Sequence, residues 1–318
     1  MQRHPTARVV NLDKLTYAGN PANLSDLASD VRYAFIQGDV ADPSAVDHAM
    51  DGCDSVIHFA AESHVDRSIT DAAPFLRTNI LGTMTLLDAA RRRAIERFIH
   101  VSTDEVYGEI LQGAATETFP LQPRSPYAAS KASADLFVQA YRVTHGLPVI
   151  MTRSSNNFGA YQFPEKFIPL AITNLLDGEP VPLYGDGLHV RDWLYVDDHC
   201  EALLFLLEHG QGGETYNISG DCARSNRDLA LGLTRALGMT DDHIRPVPDR
   251  PGHDRRYALD GGKLARLGWR PRVPFDAALA QTIAWYRSHR AWWLPLKERL
   301  HADAYHWLDR SARPGVMP

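Results

Sequence analysis

Short apolar runs alternate along the chain with segments in which apolar residues recur every three or four positions. The runs cover residues 9–12, 34–36, 55–59, 98–101 and 147–152. Runs of this length with little polar alternation are typical of strands that are buried on both faces of a parallel sheet, and the segments between them are typical of crossover helices. The pattern predicts an α/β fold around a parallel sheet.

Capping residues and periodicity place helices in the first half of the chain. Asp42 followed by Pro43 has the pattern of an N-cap and a first-turn proline, which predicts a helix running through residue 50. Residues 75–94 and 127–144 have apolar residues at three-to-four spacing, which predicts two helices packed on the sheet.

Past residue 152 the pattern is looser and prolines are frequent, which indicates a second set of elements. Asp197 is predicted to cap a helix that ends at His209. Residues 215–218 are predicted to form a strand. Ser225 is predicted to cap a helix that is ended by Gly238.

The chain has 318 residues, which is long enough for two domains. We divide it into a first domain of residues 1–152 and a smaller α/β domain of residues 153–318. The formal charge of -6 is spread along the chain without a basic run, and no apolar stretch approaches the ~18 residues of a membrane-spanning helix. Nucleic acid and membranes are therefore not predicted as partners.

The cysteines and histidines lack the spacing of metal ligands. Cys53, Cys200 and Cys222 form no CxxC pattern and are odd in number, which predicts reduced thiols in a cytoplasmic protein. His58 and His64 also lack suitable neighbours, so no metal is predicted.

Tyr127 and Lys131 are candidates for acid–base chemistry. A tyrosine with an ordinary pKa of ~10 acts as a base near neutral pH only if a nearby cation lowers that pKa. Lys131 lies four residues later on the same face of a predicted helix, where it can do so. The alternative is an ordinary surface pair, because this spacing is common.

Asp104 and Glu105 follow Ser102 and Thr103 just past a predicted strand. Ligands of open α/β sheets bind at the carboxyl ends of strands, although adjacent carboxylates also commonly face solvent. Oxidation of an alcohol needs only Tyr127 and Lys131. The additional carboxylates therefore indicate a second step that moves a C–H proton and a hydroxyl group, and elimination of water is the natural candidate.

Several motifs carry a resemblance to a known family. They are Asp13-Lys14-Leu15-Thr16-Tyr17-Ala18-Gly19-Asn20, His58-Phe59-Ala60-Ala61-Glu62-Ser63-His64-Val65-Asp66-Arg67-Ser68, Ser102-Thr103-Asp104-Glu105-Val106-Tyr107-Gly108, Ser155-Asn156-Asn157 with Pro164-Glu165-Lys166, Arg191-Asp192-Trp193, and Asp249-Arg250-Pro251-Gly252-His253-Asp254. From about residue 10 to beyond residue 293, the chain resembles the dTDP-glucose 4,6-dehydratases of the extended short-chain dehydrogenase/reductase group. The resemblance implies a Rossmann-like, doubly wound sheet and a homodimer formed through residues 75–94 and 127–144.

The resemblance implies a role for each catalytic residue. Tyr127 takes the proton of the glucosyl 4-hydroxyl while hydride passes to NAD, and Thr103 hydrogen-bonds the 4-oxygen. Lys131 supports Tyr127 and holds the nicotinamide ribose. Glu105 then removes the proton on carbon 5 while Asp104 protonates the departing 6-hydroxyl, and hydride returns to carbon 6. The two carboxyls must therefore begin in opposite protonation states.

The resemblance also implies which residues bind NAD and dTDP-glucose. The residues expected to contact NAD are Asp13, Lys14, Leu15, Thr16, Asp39, Val40, Phe59, Ala60, Ala61, Ser63, Thr78, Tyr127, Lys131 and Asn157. Asp13 is expected to bond the adenosine ribose, which favours NAD over its 2'-phosphorylated form; the alternative is a turn residue at a strand end. The residues expected to contact the nucleotide sugar are Ser63, Thr103, Asn156, Lys166, Phe167, Pro182, Tyr184, Arg191, Asn217, Arg250 and His253. Cations among them suit a diphosphate, although each could also be a solvated surface charge.

The sequence departs from the family pattern in two places. Phe158 and Ala160 stand where the family more often has tyrosine and proline, a mild change. The first strand and its glycine-rich turn are not found, and residues 1–5 are interpreted as the last turn of the first helix. We expect poor NAD binding, low stability and either unpaired strand edges or strands closing across the gap between the strand ending at Asp13 and the one at residues 98–101.

Three hypotheses of function therefore remain open. The first is a dTDP-glucose 4,6-dehydratase. The second is an epimerase or oxidoreductase acting on another nucleotide sugar, which would leave Asp104 and Glu105 without a purpose. The third is a non-catalytic remnant that binds a nucleotide sugar or a partner subunit.

Overall fold

A computed structural model describes Met1 and residues 3–303, which form two compact units. Of the described residues, those within 1–155, 199–219 and 257–270 form unit 1, and those within 156–198, 220–256 and 271–303 form unit 2. The division by packing therefore differs from the predicted domains 1–152 and 153–318, because two later segments pack in unit 1. Residues 304–318 of the second predicted domain lie outside the described residues.

The strands confirm the predicted class. In chain order they are β1 (Val9–Asp13), β2 (Tyr33–Gln37), β3 (Ser55–His58), β4 (Arg97–Thr103), β5 (Val149–Ser154), β6 (Asn156–Phe158), β7 (Val181–Tyr184), β8 (Val190–Tyr195), β9 (Thr215–Ile218), β10 (Ala223–Ser225) and β11 (Ile244–Val247). Each of the predicted strands is present, within a few residues of its predicted ends. The fold is α/β with helices packed on parallel sheets.

Unit 1 has two parallel sheets, one of strands β1 and β2 and one with the strand order β3-β4-β5-β9. Phe98 pairs with Val149 and Thr103 with Ser154, so the ends of β4 and β5 lie side by side. Among the described residues, β1 pairs only with β2 and β3 pairs only with β4. The expectation that residues 98–101 border a gap is wrong, because β4 lies between β3 and β5.

The helices also follow the predicted order. The α-helices are α1 (Pro43–Ala49), α2 (Val65–Thr70), α3 (Ala73–Phe75), α4 (Thr83–Arg92), α5 (Pro126–His145), α6 (Phe167–Leu176), α7 (Val196–His209), α8 (Asn226–Ala236), α9 (Gly262–Leu267), α10 (Phe275–Ser288) and α11 (Arg290–Asp303). Short 3₁₀ turns cover Pro21–Leu27, Asp104–Tyr107 and Asp241–His243, and a π-helical turn covers Leu76–Gly82.

Cap geometry confirms two of the predicted helix starts, and a third start differs from its prediction. The Asp42 side chain accepts a hydrogen bond from Ser44 N, and the Ser225 side chain accepts one from Asp228 N. Helix α7 begins at Val196, so Asp197 lies in its first turn and is not the cap.

Two further helix predictions are wrong. The single helix predicted for residues 75–94 is interrupted by the π-helical turn Leu76–Gly82. Residues 3–8 form bends and turns, with Ala7 N donating to His4 O. The described residues of the segment 1–5 are therefore not the last turn of a helix, as the sequence had suggested.

A separate apolar core stabilises each unit. In unit 1, Leu87 on α4, Val138 on α5 and Phe98 on β4 pack in one buried cluster, so the two helices cover one face of the sheet. In unit 2, Trp193 on β8 packs in a cluster with Trp293 on α11. Burial of side chains this large contributes about 1.5–3 kcal/mol each.

Unit 2 contains two small sheets. One has the order β10-β8-β6 and the other pairs β11 with β7 in parallel. Across the described part of the chain, no helix combines the length and apolar character needed to cross a membrane.

Candidate active site

The carboxylates Asp104 and Glu105 lie in a 3₁₀ turn directly after β4. Thr103, the last residue of β4, has extended backbone, and its Oγ1 accepts a 3.3 Å hydrogen bond from Glu105 N and donates one of 3.1 Å to Asp104 Oδ1. Asp104 is buried and Glu105 is half-buried. The local sequence thus holds both carboxyl groups at the carboxyl end of a buried strand, where ligands of α/β sheets bind.

Gly108 ends this turn, and its backbone position leaves no room for a side chain. Its φ is +74°, in the left-handed region, and a Cβ atom at this position would lie 2.2 Å from Gln122 O. Any other residue would displace the backbone that supports the two carboxylates.

Tyr127 and Lys131 lie one turn apart at the start of α5 and are both buried. The Ser125 side chain caps the helix by accepting from Ala128 N. Tyr127 N donates a 3.1 Å hydrogen bond to Ser68 Oγ, which fixes the first turn of α5. Lys131 Nζ donates a 2.7 Å hydrogen bond to Val101 O, in the middle of β4.

The pKa of Tyr127 differs from the sequence-based expectation. Burial raises this pKa far above its ordinary value of 10, the charge of Glu105 raises it further, and a hydrogen bond with the Thr103 hydroxyl opposes the increase. The expectation that Lys131 brings the pKa of Tyr127 below its ordinary value is wrong for this structure. The effects of Glu105 and Thr103 on the pKa of Tyr127 indicate that the three side chains lie close together in unit 1.

Asn79 connects the loop before α2 to α5, which carries Tyr127 and Lys131, and the sequence interpretation missed this link. Its Nδ2 donates to Glu62 O at 3.0 Å and to Ser130 Oγ at 2.8 Å, and its Oδ1 accepts from Glu62 N at 2.8 Å. Ser130 Oγ in turn donates to Tyr127 O. The sequence signal for this link was Asn79 itself, a polar residue inside an apolar helical pattern. In the structure Asn79 lies in a π-helical turn, and such turns often occur at functional sites.

Most of the predicted NAD-binding residues line a cavity of about 430 Å³ in unit 1. Among the predicted residues, those that line it are Asp13, Lys14, Thr16, Asp39, Val40, Phe59, Ala60, Ala61 and Thr78. The cavity is lined along β1 and β3, and its lining combines carboxylates and small residues with larger apolar side chains such as Val10, Val56 and Leu86. A strand-end carboxylate for ribose and small residues that allow close approach suit a dinucleotide, so the donor set fits NAD.

The remaining predicted cofactor residues lie elsewhere. Leu15 is adjacent to the cavity lining and has a left-handed φ of 55°, with its N–H bonded to Asp13 Oδ1 at 2.7 Å. Ser63 is exposed in the loop before α2. Asn157 belongs to unit 2, on β6 opposite Leu194.

Asp39 is held by two cations at the edge of this cavity. Lys14 Nζ lies 2.9 Å from Asp39 Oδ2, and Arg77 donates to the same oxygen from 3.2 Å. These hydrogen bonds, opposed by burial, lower the pKa of Asp39. The group is therefore a fixed anion beside the cavity.

Unit 2 brings several predicted sugar-nucleotide residues together. His253 packs edge-on against Tyr184, with ring centroids 5.8 Å apart, and stacks on His189 at 3.7 Å. Arg250 and Arg191 lie near enough to lower the pKa of His253, which burial lowers to about 3. Cations and aromatic rings at one place suit a nucleotide diphosphate.

The other predicted sugar-nucleotide residues of unit 2 lie on or next to four elements, β6, α6, β7 and β8. Asn156 is half-buried on β6, Lys166 precedes α6, Phe167 opens α6, and Pro182 is half-buried on β7. Arg191 is buried on β8 and donates a 2.9 Å hydrogen bond to Asp254 O.

Asn217 has a structural role in unit 1. It is fully buried, its Nδ2 donates to Ala115 O at 2.8 Å, and its Oδ1 accepts from Tyr107 Oη at 2.8 Å. Contact with the substrate would require these hydrogen bonds to break, so the geometry does not support that prediction.

His189, Asp249 and His253 form a group with metal-ligand chemistry, and their ligand atoms lie within 4.8 Å of one another. His253 Nδ1 lies 2.6 Å from Asp249 Oδ1, and the two imidazoles are stacked nearly parallel at 13°. Burial and the charge of Arg191 lower the pKa of both histidines, whereas Asp249 raises both pKa values.

Comparison with known proteins places the chain in a family. A family model described as GDP-mannose 4,6 dehydratase matches residues 2–282. The chain is 55% identical over 298 residues to a dTDP-glucose 4,6-dehydratase of Streptomyces antibioticus, covering 93% of this chain and 88% of that protein. A 52% identical relative from Actinoplanes sp., also a dTDP-glucose 4,6-dehydratase, covers 91% of each chain.

Solved structures agree with these matches. The dTDP-glucose 4,6-dehydratase of Streptomyces venezuelae, crystallised with NAD, has a TM-score of 0.90 at 52% identity and covers 92% of this chain and 91% of its own. A UDP-glucose 4-epimerase of Thermus thermophilus, also with NAD, has a TM-score of 0.82 at 31% identity, covering 88% of this chain and 91% of its own. The resemblance found in the sequence is confirmed: the chain belongs to the dTDP-glucose 4,6-dehydratase family.

Proposed function

We propose that this protein catalyses the NAD-dependent dehydration of dTDP-glucose to dTDP-4-keto-6-deoxyglucose. The observation that carries the proposal is the turn Asp104–Tyr107, which holds two carboxylates next to Thr103 and within electrostatic reach of Tyr127. Oxidation of an alcohol alone has no use for these carboxylates, whereas elimination of water needs a base and an acid. The family relationship supports the same reaction.

Tyr127 acts first in the proposed reaction. Its phenolate form takes the proton of the 4-hydroxyl group, and the Thr103 hydroxyl hydrogen-bonds the 4-oxygen. Burial disfavours this phenolate, and we assign its stabilisation to Lys131, one helical turn away on α5. When bound, NAD supplies the hydride acceptor for oxidation at carbon 4 and the hydride donor for reduction at carbon 6.

Glu105 and Asp104 carry out the elimination. The proton on carbon 5 is acidic because it is α to the carbon 4 ketone, and Glu105 removes it. The C–H electron pair forms the carbon 5–carbon 6 double bond as the C–O bond at carbon 6 breaks. Asp104 donates its proton to the departing hydroxyl, so water leaves.

NAD would be held by the cavity of unit 1. We assign Asp13 to the adenosine ribose, because its carboxylate lies at the carboxyl end of β1 and lines the cavity. Asp39, Ala60 and Thr78 line the same cavity and would contact the dinucleotide.

The nucleotide of the substrate would be held by residues of unit 2. Lys166, Arg191 and Arg250 provide charge for the diphosphate, with His253 beside Tyr184. Guanidinium groups match phosphate oxygens in a bidentate way, which supports the arginine assignments.

We propose that the protein is a homodimer formed through two neighbouring helical segments of unit 1, Leu76–Gly82 and α5. They expose Leu76, Leu81, Leu136 and Phe137 to solvent. Exposed apolar side chains gathered on packed helices are typical of protein–protein interfaces. Leu136→Glu should convert the dimer to a monomer in light scattering, whereas the same change at exposed Leu111 should not.

We also propose a cytoplasmic location. Cys53, Cys200 and Cys222 are thiols and not half-cystines, as expected in a reducing compartment. Blocking of all three by a thiol reagent after rapid lysis and denaturation would support this location.

Mass spectrometry of dTDP-glucose incubated with the full chain and NAD tests the reaction. The expected product has lost one water and, in heavy water, carries one deuterium at carbon 5. An epimerase would leave the mass in ordinary water unchanged, and a non-catalytic protein would leave the substrate unaltered. A product of unchanged mass, or no reaction in a chain that demonstrably binds NAD, would refute the proposal.

A further inference from the structure

The loop after β1, residues 14–20, forms one wall of the cavity in unit 1. Lys14, Thr16, Ala18 and Gly19 of this loop line the cavity directly. The loop contains neither a helix nor a strand, and one backbone hydrogen bond within it runs from Gly19 N to Thr16 O at 2.8 Å. A wall with little regular backbone pairing of its own needs contacts from elsewhere to keep its shape.

The backbone of this loop is strained at its second residue. Leu15 has a φ of 55°, in the left-handed region that leucine seldom adopts, and its N–H donates a 2.7 Å hydrogen bond to Asp13 Oδ1. A Cβ atom at Gly19 would lie 2.6 Å from Leu15 Cα, so the loop folds tightly back on itself. Strained residues persist only where their surroundings hold them, and they are frequent at binding sites.

Tyr17, in the middle of the loop, packs under the guanidinium group of Arg67 on α2. Arg67 Cζ lies 3.7 Å from the centroid of the Tyr17 ring, well within the ~6 Å reach of a cation–π interaction. Both residues are half-buried, and such a contact is stronger when its groups are shielded from water. The contact ties the middle of the loop to α2.

Helix α2 is itself anchored to α5, the helix that carries Tyr127. Ser68, next to Arg67, accepts a 3.1 Å hydrogen bond from Tyr127 N and donates one of 2.6 Å to Val65 O. Val65 and Tyr127 also pack in one buried apolar cluster. Arg67 therefore contacts the loop from a fixed support.

The ion pair at the start of the loop is a weaker tie. Lys14 Nζ lies 2.9 Å from Asp39 Oδ2, and the Lys14 side chain is 48% exposed. Ion pairs of exposed groups contribute little, because solvent screens them and their long side chains must be ordered. The ring of Tyr17 under Arg67 is therefore the stronger of the two ties.

We propose that Tyr17 and Arg67 are positioning residues that hold residues 14–20 against bound NAD and slow its release. The inference rests on the proposed function, in which the cavity of unit 1 holds NAD. In that reaction hydride leaves carbon 4 and returns to carbon 6 within one turnover, so the same cofactor must stay bound between the two transfers. A wall already held in place costs less to order on binding, and opening it breaks the contact.

The test is the rate of NADH release from the full chain, measured by NADH fluorescence after mixing with excess NAD. Tyr17→Leu and Arg67→Met should each raise this rate by about 2- to 30-fold, the range that a cation–π contact supplies. The double variant should release NADH about as fast as the faster single variant, because both changes remove one interaction. Tyr17→Phe keeps the ring and should alter the rate by less than about twofold.

Two further measurements separate this role from a general loss of stability. Amide hydrogen exchange in the cofactor-free chain should be faster at residues 14–20 of Arg67→Met and unchanged in β4. Arg224→Met removes a guanidinium whose Cζ lies 4.8 Å from the centroid of the Phe275 ring in unit 2, and should leave NADH release unchanged. Faster exchange in β4 as well as in the loop would show general destabilisation and overturn the inference.

The outcomes distinguish this inference from the proposed reaction. If the original protein dehydrates dTDP-glucose but both single variants release NADH at the original rate, the inference is overturned and the function stands. If both variants release NADH faster but the original protein does not dehydrate dTDP-glucose, the function fails and the role of the contact stands. Additive effects in the double variant would also overturn the inference. If Tyr17→Leu does not fold, Arg67→Met decides.

Discussion

Lys131 Nζ lies 2.7 Å from the carbonyl oxygen of Val101, two residues before Thr103 on β4. This contact ties α5 to the strand that ends at the turn Asp104–Tyr107. A hydrogen bond from a charged donor is stronger than one between neutral groups, so this contact fixes the spacing of α5 and β4.

Lys131→Met should reduce the rate of dehydration by about 100-fold or more, because the variant loses the cation that stabilises the Tyr127 phenolate. Steady-state kinetics with dTDP-glucose would measure the change. Lys263→Met is a matched control, since Lys263 Nζ also binds a strand carbonyl, Thr215 O, at 2.6 Å. Equal losses of activity in the two variants would indicate that only the anchoring matters.

Asp104→Asn and Glu105→Gln should block elimination more severely than the first oxidation, because only elimination uses these carboxyls. Single-turnover measurement of reduced nicotinamide, followed by its absorbance, would show the cofactor reduced and then held in that form. Glu109→Gln removes a nearby carboxylate that pairs with Arg124 and should behave like the original protein. Equal slowing of oxidation and elimination would contradict the division of roles.

Tyr127→Phe should suppress the oxidation itself, by about 100-fold or more, since the variant lacks the group that accepts the 4-hydroxyl proton. The rate of cofactor reduction in a single turnover is the measurement. Tyr141→Phe removes a hydroxyl from the same helix and should leave this rate unaffected. Cofactor reduction at the original rate in Tyr127→Phe would assign the base to another group.

Acid should destabilise the protein below about pH 6.5 through buried histidines. Burial lowers the pKa of His58 and His100 from 6.5, and lowers the pKa of His199 to about 4. The unfolded chain binds protons at these groups near pH 6.5, whereas the folded chain does not. The free energy of unfolding is therefore greatest above pH 6.5 and falls as the pH drops towards 4, by up to about 1.4 kcal/mol per pH unit for each group.

Urea denaturation at pH 7, 6 and 5 would measure this dependence. His199→Gln should flatten it between pH 6.5 and 4, because one of the groups with a lowered pKa is gone. His145→Gln, at an exposed histidine on α5, should leave the dependence as it was. A free energy of unfolding that stays constant from pH 7 to 5 would show that these histidines take up protons without unfolding.

The sequence by itself determined the fold class, most of the strands and the position of Asp104 and Glu105 just past a strand. Apolar runs such as residues 98–101 specify strands locally, because a strand buried on both faces needs continuous apolar side chains. Asp42 and Ser225 specify helix starts through a bond to a backbone N–H a few residues away. The pair Tyr127 and Lys131 can also be recognised from local sequence, because a spacing of four residues corresponds to about one helical turn.

Only the tertiary structure decided what depends on residues distant in the chain. The π-helical turn at Leu76–Gly82 forms where Asn79 reaches Glu62 and Ser130, and no local pattern contains that contact. Asn217 is a residue type that can bind phosphate, but its side chain accepts a buried hydrogen bond from Tyr107. The pKa of Tyr127 rises because the side chain is buried and lies near the charge of Glu105. Burial and long-range pairing are properties of the folded chain, and the sequence pattern around a residue does not contain them.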